Sequence, residues 1–196
     1  MALGDPYISL ADLKAYLSIP QDETSYDERL NDALNSASRE VEQFTGRQFN
    51  KATSATPRRF AADGYYSVTV DDFWDEQSLV VEVDGYVRTD ITAYPLDGVV
   101  DGVPGWPRYR LEVAEGRFLT GRRATLVTVT AKWGWEAVPS TVRQAVLQLS
   151  GETFKLAEAP FGVAGSDQFG GVVRVRDLPM VARKLNRFVT TPVLMG

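Results

Sequence analysis

The chain has 196 residues, 44% hydrophobic and 11% aromatic, enough apolar mass for one sizeable core or two modest ones, which argues against disorder throughout. It carries 21 Lys and Arg against 26 Asp and Glu, a net charge of -5, and it contains no His and no Cys. Those two absences remove Ser-His-Asp and Cys-His nucleophiles, the usual zinc sites, haem ligation by His or Cys, and thiol redox chemistry.

Carboxylate chemistry, Lys chemistry and an oxygen-ligated Mg or Ca site remain open. The lack of Cys suits an intracellular assembly environment. No apolar run approaches the roughly 18 to 20 residues that cross a bilayer, and MALGDPYISLADLKAYL lacks the features of a secretory signal, so the expectation is a soluble, unprocessed protein. Charge is uneven along the chain. Residues 1–50 hold 4 basic and 9 acidic residues, residues 51–150 hold 11 and 13, and residues 151–196 hold 6 and 4. An acidic front and a mildly basic tail can attract each other between copies; a solvated surface is the plainer reading.

Ser9 to Asp12 has the form of a capping box and opens a short helix carrying Leu10, Leu13 and Leu17, which Pro20 stops. Ser25 with Glu28 signals a second start. Leu30, Ala33, Leu34, Ala37, Val41 and Phe44 then recur at helical spacing to Thr45, where Gly46 takes the left-handed C-terminal position. The outer face of this helix carries Asp27, Arg29, Asp32, Arg39, Glu40 and Glu42.

From Pro57 to Trp135 the period becomes strand-like, with candidate strands at Ser67–Val70, Leu79–Val83, Arg108–Val113 and Leu126–Trp133, and turns at Asp84-Gly85 and Glu115-Gly116. The segment YPLDGVVDGVPGW, residues 94–106, predicts a projecting hairpin or loop rather than core. Pro139 opens another helix with a stripe of Val142, Ala145, Val146, Leu149, Thr153 and Phe154, ending before Pro160. A flexible loop, Gly162 to Gly171, leads to a short extended piece at Val172–Arg176. Asp177 then caps a last helix with Pro179 just inside and Val181, Ala182, Leu185 and Phe188 on its apolar side, and TTPVLMG follows as a strand or arm.

Few residues invite a chemical role. The acidic run Asp71, Asp72, Asp75 and Glu76 offers hard oxygen ligands but misses the EF-hand pattern, and reads as a solvated turn packed by Phe73 and Trp74. The glycines of residues 162–171 fit neither a P-loop nor a dinucleotide fingerprint. Asp97 and Asp101 each precede Gly and are turn formers. Trp106, Tyr109, Trp133 and Trp135 near Arg108, Arg110, Arg122 and Arg123 superficially resemble a stacking surface for single strands. Strand alternation sends Trp133 to the core, and packing is favoured. The C-terminal basic set, Arg174 and Arg176 on an extended piece and Arg183, Lys184 and Arg187 on a helix, forms a partner-docking segment, with Phe161 and Phe169 of the preceding loop counted as contacts; a charged solvent face is the alternative.

Three stretches together resemble the head-tail connector, or adaptor, proteins of long-tailed bacteriophages, in particular adaptors of actinobacterial phages. They are YISLADLKAYLSI with DERLNDALNSASREVEQFTGRQF, AKWGWEAVPSTVRQAVLQLSGETFK, and APFGVAGSDQFGGVVRVRDLPMVARKL. None is a catalytic motif; their order and combination carry the likeness, and the β block is larger than in compact all-helical members. The resemblance implies a dodecameric ring beneath a portal protein, with a stopper or tail-completion protein below. Genomic DNA would pass through the lumen without its sequence being read, and the location would be the virion neck, assembled in host cytoplasm.

The expected architecture is α+β: N-terminal helices at 1–56, an inserted antiparallel β domain at 57–135, a long bundle helix at 136–161, and a loop, terminal helix and extended arm at 162–196. The expected role is structural, with no enzymatic activity, no cofactor and no membrane contact. The competing readings are a stopper or tail terminator and, from another class, an Asp/Glu-dependent hydrolase.

Overall fold

A computed structural model describes residues 4–118, 125–158, 175 and 178–190. The chain divides into a helical unit, Leu3–Arg47 with Val138–Thr191, and a β unit, Gln48–Ala137. The class is α+β, as expected, with the β unit inserted between helices from the two ends of the sequence.

In the helical unit, α1 (Leu10–Leu17) begins with the capping box read from the sequence: the Asp12 N–H donates to the Ser9 hydroxyl and the Ser9 N–H to the Asp12 carboxylate. It ends at Ser18, which takes a left-handed conformation two residues before Pro20. Helix α2 (Asp27–Thr45) buries Leu30, Ala33, Leu34, Ala37 and Val41, and half-buries Phe44. Gly46 holds φ +68° as its C-cap. Its start differs from expectation. The N-cap is Tyr26, without a side-chain bond, because the Ser25 N–H and hydroxyl both donate to the Glu23 carboxylate instead.

Helix α3 (Ser140–Glu158) packs Val142, Ala145, Val146 and Leu149 into the same core, and Phe154 meets Tyr26 edge-on at 5.8 Å between ring centroids. Helix α4 (Pro179–Leu185) and a 3-10 turn at Asn186–Phe188 bury Val181, Leu185 and Phe188. The N-cap of α4 is Leu178, with Pro179 in the first turn where its missing N–H costs nothing; Asp177, expected as the cap, lies outside the described residues.

The β unit comprises β1 (Thr56–Ala61), β2 (Ser67–Val83), β3 (Tyr86–Arg88), β4 (Ile91–Tyr94), β5 (Val99–Val100), β6 (Val103–Pro104), β7 (Arg108–Val113) and β8 (Leu126–Trp133). Its main sheet is antiparallel in the order β1-β8-β2-β7-β4, with β3 on β2. Strand β2 is a single 17-residue strand where the sequence pattern suggested two strands flanking an acidic turn. Its first part pairs with β7 (Val68 with Leu111) and its last part with β8 (Val81 with Val129) and β3 (Val83 with Tyr86).

Asp72 and Phe73 are both buried, so the inside-outside alternation changes phase there, and the register with both neighbours shifts in the same region. The buried face of the sheet holds a core of Val68, Val70, Phe73, Val81, Leu111, Val127, Val129 and Trp133. The turn residues behave as read: Asp84, Asp97 and Asp101 all have positive φ next to a glycine. Residues 94–106 form a small β5–β6 hairpin, but Trp106 at its end is buried and donates its N–H to Gly98 O at 2.9 Å.

Candidate partner-binding surfaces

The acidic run on β2 meets a donor at every carboxylate. Asp71 pairs with Arg58 of β1 (2.6 Å), Asp75 with Lys132 of β8 (2.7 Å) and Glu76 with Arg108 of β7 (3.1 Å). Asp72, buried, accepts the Trp135 indole N–H at 2.8 Å. The Asp75 carboxyl is held below its ordinary range mainly by the Lys132 hydrogen bond. The expected solvated turn is thus a strand whose charges are matched by its neighbours. Among the described residues no cluster of three or more acids has metal-holding geometry.

The aromatic set is structural. Trp133 is buried against Phe73 and Phe60, lies under the Arg58 guanidinium at 4.6 Å, and donates its indole N–H to Thr56 O at 2.8 Å. Trp135 sits between Phe49 and Trp106, each 5.1 Å away between ring centroids. Arg110 pairs with Glu112 at 2.9 Å and lies over Tyr94. Arg122 and Arg123 lie outside the described residues. Gly134 joins the two tryptophans at φ +93°, and its backbone passes so close to Asn50 O that no β-carbon fits.

Of the basic residues expected to meet a partner, Arg174 and Arg176, together with Phe161 and Phe169, lie outside the described residues. Arg183, Lys184 and Arg187 are described, on α4 and the turn after it. Three polar ties position that element. The Val175 N–H donates to Glu40 at 3.0 Å, Arg47 Nε to Phe188 O at 2.8 Å, and the Thr190 N–H to Thr45 O at 2.8 Å. With Val181, Leu185 and Phe188 facing inward, Arg183 and Arg187 are exposed and Lys184 half-exposed. Arg187 also lies over the Phe188 ring at 5.4 Å. Met180, 73% exposed, precedes them at helical spacing.

The outer face expected for α2 is only partly outer. Asp27 pairs with Lys14 at 2.5 Å, Glu40 takes the Val175 N–H, and Glu42 accepts the Tyr7 hydroxyl and pairs with Arg39. Glu28, Asn31, Asp32 and Asn35 form an exposed stripe on its first half, flanked by exposed Arg29, which lies over the Tyr26 ring. Lys14, buried at 2% exposure, is a residue that sequence pattern alone passed over. In the β unit, Arg117 lies over the exposed rings of Tyr65 and Tyr66 at 5.3 and 5.8 Å, a cluster with no signature in strand alternation.

The sequence matches no family model and no curated protein. Solved structures share its fold. One is a chain from the neck of an empty GTA (gene transfer agent) particle computed with C6 symmetry, at 18% identity and a TM-score of 0.59. The match covers 97% of this chain and 93% of that one. Another is a chain from the neck of a native GTA particle computed with C12 symmetry, at 16% identity and a TM-score of 0.49, covering 100% and 99%. At such identities the likeness is one of fold, and the fold this chain shares, over nearly its whole length, is that of a chain from the neck of a GTA particle.

Proposed function

We propose that this chain is a structural neck subunit of a phage-like particle: a head-tail adaptor that forms a ring beneath the portal and joins the capsid to the tail. The observation that carries this reading is the match of both units together, over 97% of the chain, to a chain from a GTA neck. The adaptor resemblance in the sequence points the same way, independently of the coordinates. The role is adhesive rather than catalytic. The four carboxylates of the acidic run, Asp71, Asp72, Asp75 and Glu76, each hold a cation or an N–H donor of their own, so none of the four is poised to activate water.

In this reading the ring is a dodecamer of heterologous contacts, DNA passes through it unread, and Arg183, Lys184 and Arg187, with Arg174, Arg176, Phe161 and Phe169, make partner contacts. The overall negative charge lets DNA slide past without a grip.

The test is native mass measurement of the purified full chain, alone and mixed with the portal and the stopper of its own particle. Multiple copies on the portal ring are expected. A chain that ignores the portal but binds the stopper or tail tube would move it to another place in the neck, and a chain that binds none of them would overturn the reading.

A further inference from the structure

Within the helical unit two exposed faces of opposite sign lie on different parts of the surface. One is basic: Arg183, Lys184 and Arg187, spaced with Met180 at i, i+3, i+4 and i+7 along α4 and the turn after it. The other is acidic and polar: Glu28, Asn31, Asp32 and Asn35, at the same spacing on the first half of α2, with exposed Arg29 flanking the stripe and lying over the Tyr26 ring. Among the described residues neither Arg183 nor Lys184 has an ion pair, and neither do Glu28 and Asp32.

They do not meet within one copy. Val175, before α4, is tied to Glu40, and Phe188 and Thr190, after it, to Arg47 and Thr45, so both ends of this segment are held at the C-terminal half of α2 while α4 itself packs on α3. At about 1.5 Å per residue, Glu28 lies about 28 Å along the axis from the Arg47 end.

We propose that the basic face of α4 docks on the acidic first half of α2 in a second copy of this chain, with Met180 as the apolar anchor at its N-terminal end. This rests on the ring reading above and names the surfaces that would close it. A patch and its complement at two different places on one molecule make a head-to-tail contact, which closes into a ring when the rotation permits. The charge complement argues for a copy of the same chain. The molecule carries both halves, and Arg183 and Lys184 on one, like Glu28 and Asp32 on the other, are left unmatched by the unit's other ion pairs. Exposed pairs of this kind give register and salt sensitivity more than raw affinity, and an exposed apolar side chain beside them supplies contact area.

The experiment is sedimentation velocity on the full chain at low and high salt, with the variants R183E/K184E and E28K/D32K. Arg183, Glu28 and Asp32 are exposed and Lys184 is half-buried without an ion pair among the described residues, so both variants should fold, which the helical circular dichroism signal checks. Wild type is expected to self-associate at low salt and to dissociate at high salt, and each variant alone to associate at least tenfold more weakly. An equimolar mixture of the two variants should recover assembly, because each contact then pairs an acidic face with a basic one, and closed species should contain even numbers of subunits.

If R183E/K184E associates as well as wild type, or the mixture gains nothing, the pairing is wrong while the ring reading stands. The pairing also fails if R183E/K184E self-associates normally but no longer binds portal, since the basic face would then belong to the portal contact. Wild-type protein that stays monomeric at low salt overturns the pairing as well, and the ring reading is then judged by the portal mixture alone.

Discussion

Lys14 offers a sharp test of how the helical unit is held together. Its side chain is 3% exposed, and Nζ donates to Glu23 O at 2.6 Å and to Gln21 O at 3.3 Å while pairing with the Asp27 carboxylate at 2.5 Å. The ammonium thus pins the α1–α2 connection to the start of α2. Lys14→Met keeps most of the buried aliphatic stem and removes only the charge and its bonds. Breaking a fully buried ion pair costs about 3–5 kcal/mol.

The cost here should be smaller. Gln21 and Glu23 sit in an exposed turn, so their two carbonyls can recover water once the ammonium is gone, although the paired Asp27 Oδ1 is itself buried in a side chain that is 31% exposed overall. We therefore expect a loss of about 2 kcal/mol, which at a urea m-value of about 2 kcal/mol/M lowers the midpoint by about 1 M. All four tryptophans, Trp74, Trp106, Trp133 and Trp135, lie in the β unit. Ellipticity at 222 nm follows the helices, tryptophan fluorescence follows the β unit, and the shift should appear in the first. A midpoint within about a quarter of a molar of wild type would refute the role given to Lys14. A loss above about 4 kcal/mol would refute the rehydration argument.

Gly134→Ala should be far more damaging than an ordinary surface change, about 3 kcal/mol or more in thermal or urea unfolding, since both the left-handed backbone and the approach to Asn50 O exclude a β-carbon; a neutral result would show that the strand there moves freely. Trp135→Phe keeps the ring between Phe49 and Trp106 but deletes the indole N–H to Asp72, for an expected loss of about 1–3 kcal/mol, and Trp135→Phe with Asp72→Asn together should lose less than the sum of the two singles. Asp90 is held well below the ordinary carboxylate range by its two hydrogen bonds from Arg88 and one from the Glu115 N–H. A depressed folded pKa contributes stability above the unfolded value near about 3.9 that disappears as pH falls through the folded one. Asp90→Asn should therefore be less stable than wild type at neutral pH, with the gap narrowing in urea titrations as the pH drops below about 4. A gap unchanged by pH would assign the effect to packing. Gly46→Ala, which places a methyl group on the Thr190 hydroxyl, should loosen the segment after α4 and raise amide exchange at Thr190 before any global loss of structure.

Local chemistry was enough for the helices and most of the turns. The Ser9–Asp12 box, the apolar period of α2, Gly46 as its left-handed end, and the aspartates before glycine are all decided within a few residues, and each behaves in the structure as its immediate neighbours dictate. The inward side of Trp133 was likewise readable, since alternation along a strand is local.

Contacts between distant residues decided the rest. Strand β2 runs unbroken through four acids because Arg58, Lys132 and Arg108, from three other strands, and the Trp135 N–H meet them; nothing within the run announces those partners. Glu40 and Glu42 look outward by period, yet are drawn into bonds with Val175 and Tyr7, and Lys14 is buried because a turn nine residues on offers it a carbonyl. The candidate contact face obeys the same division. The composition of the tail named Arg183, Lys184 and Arg187, but only the packing of α4 on α3, with its flanking residues tied to Glu40, Thr45 and Arg47, set them outward and apart from Glu28 and Asp32. Helical period and turn chemistry are short-range and survive in one dimension; charge neutralisation and the sidedness of a surface depend on which remote segment folds alongside, and that exists only in three.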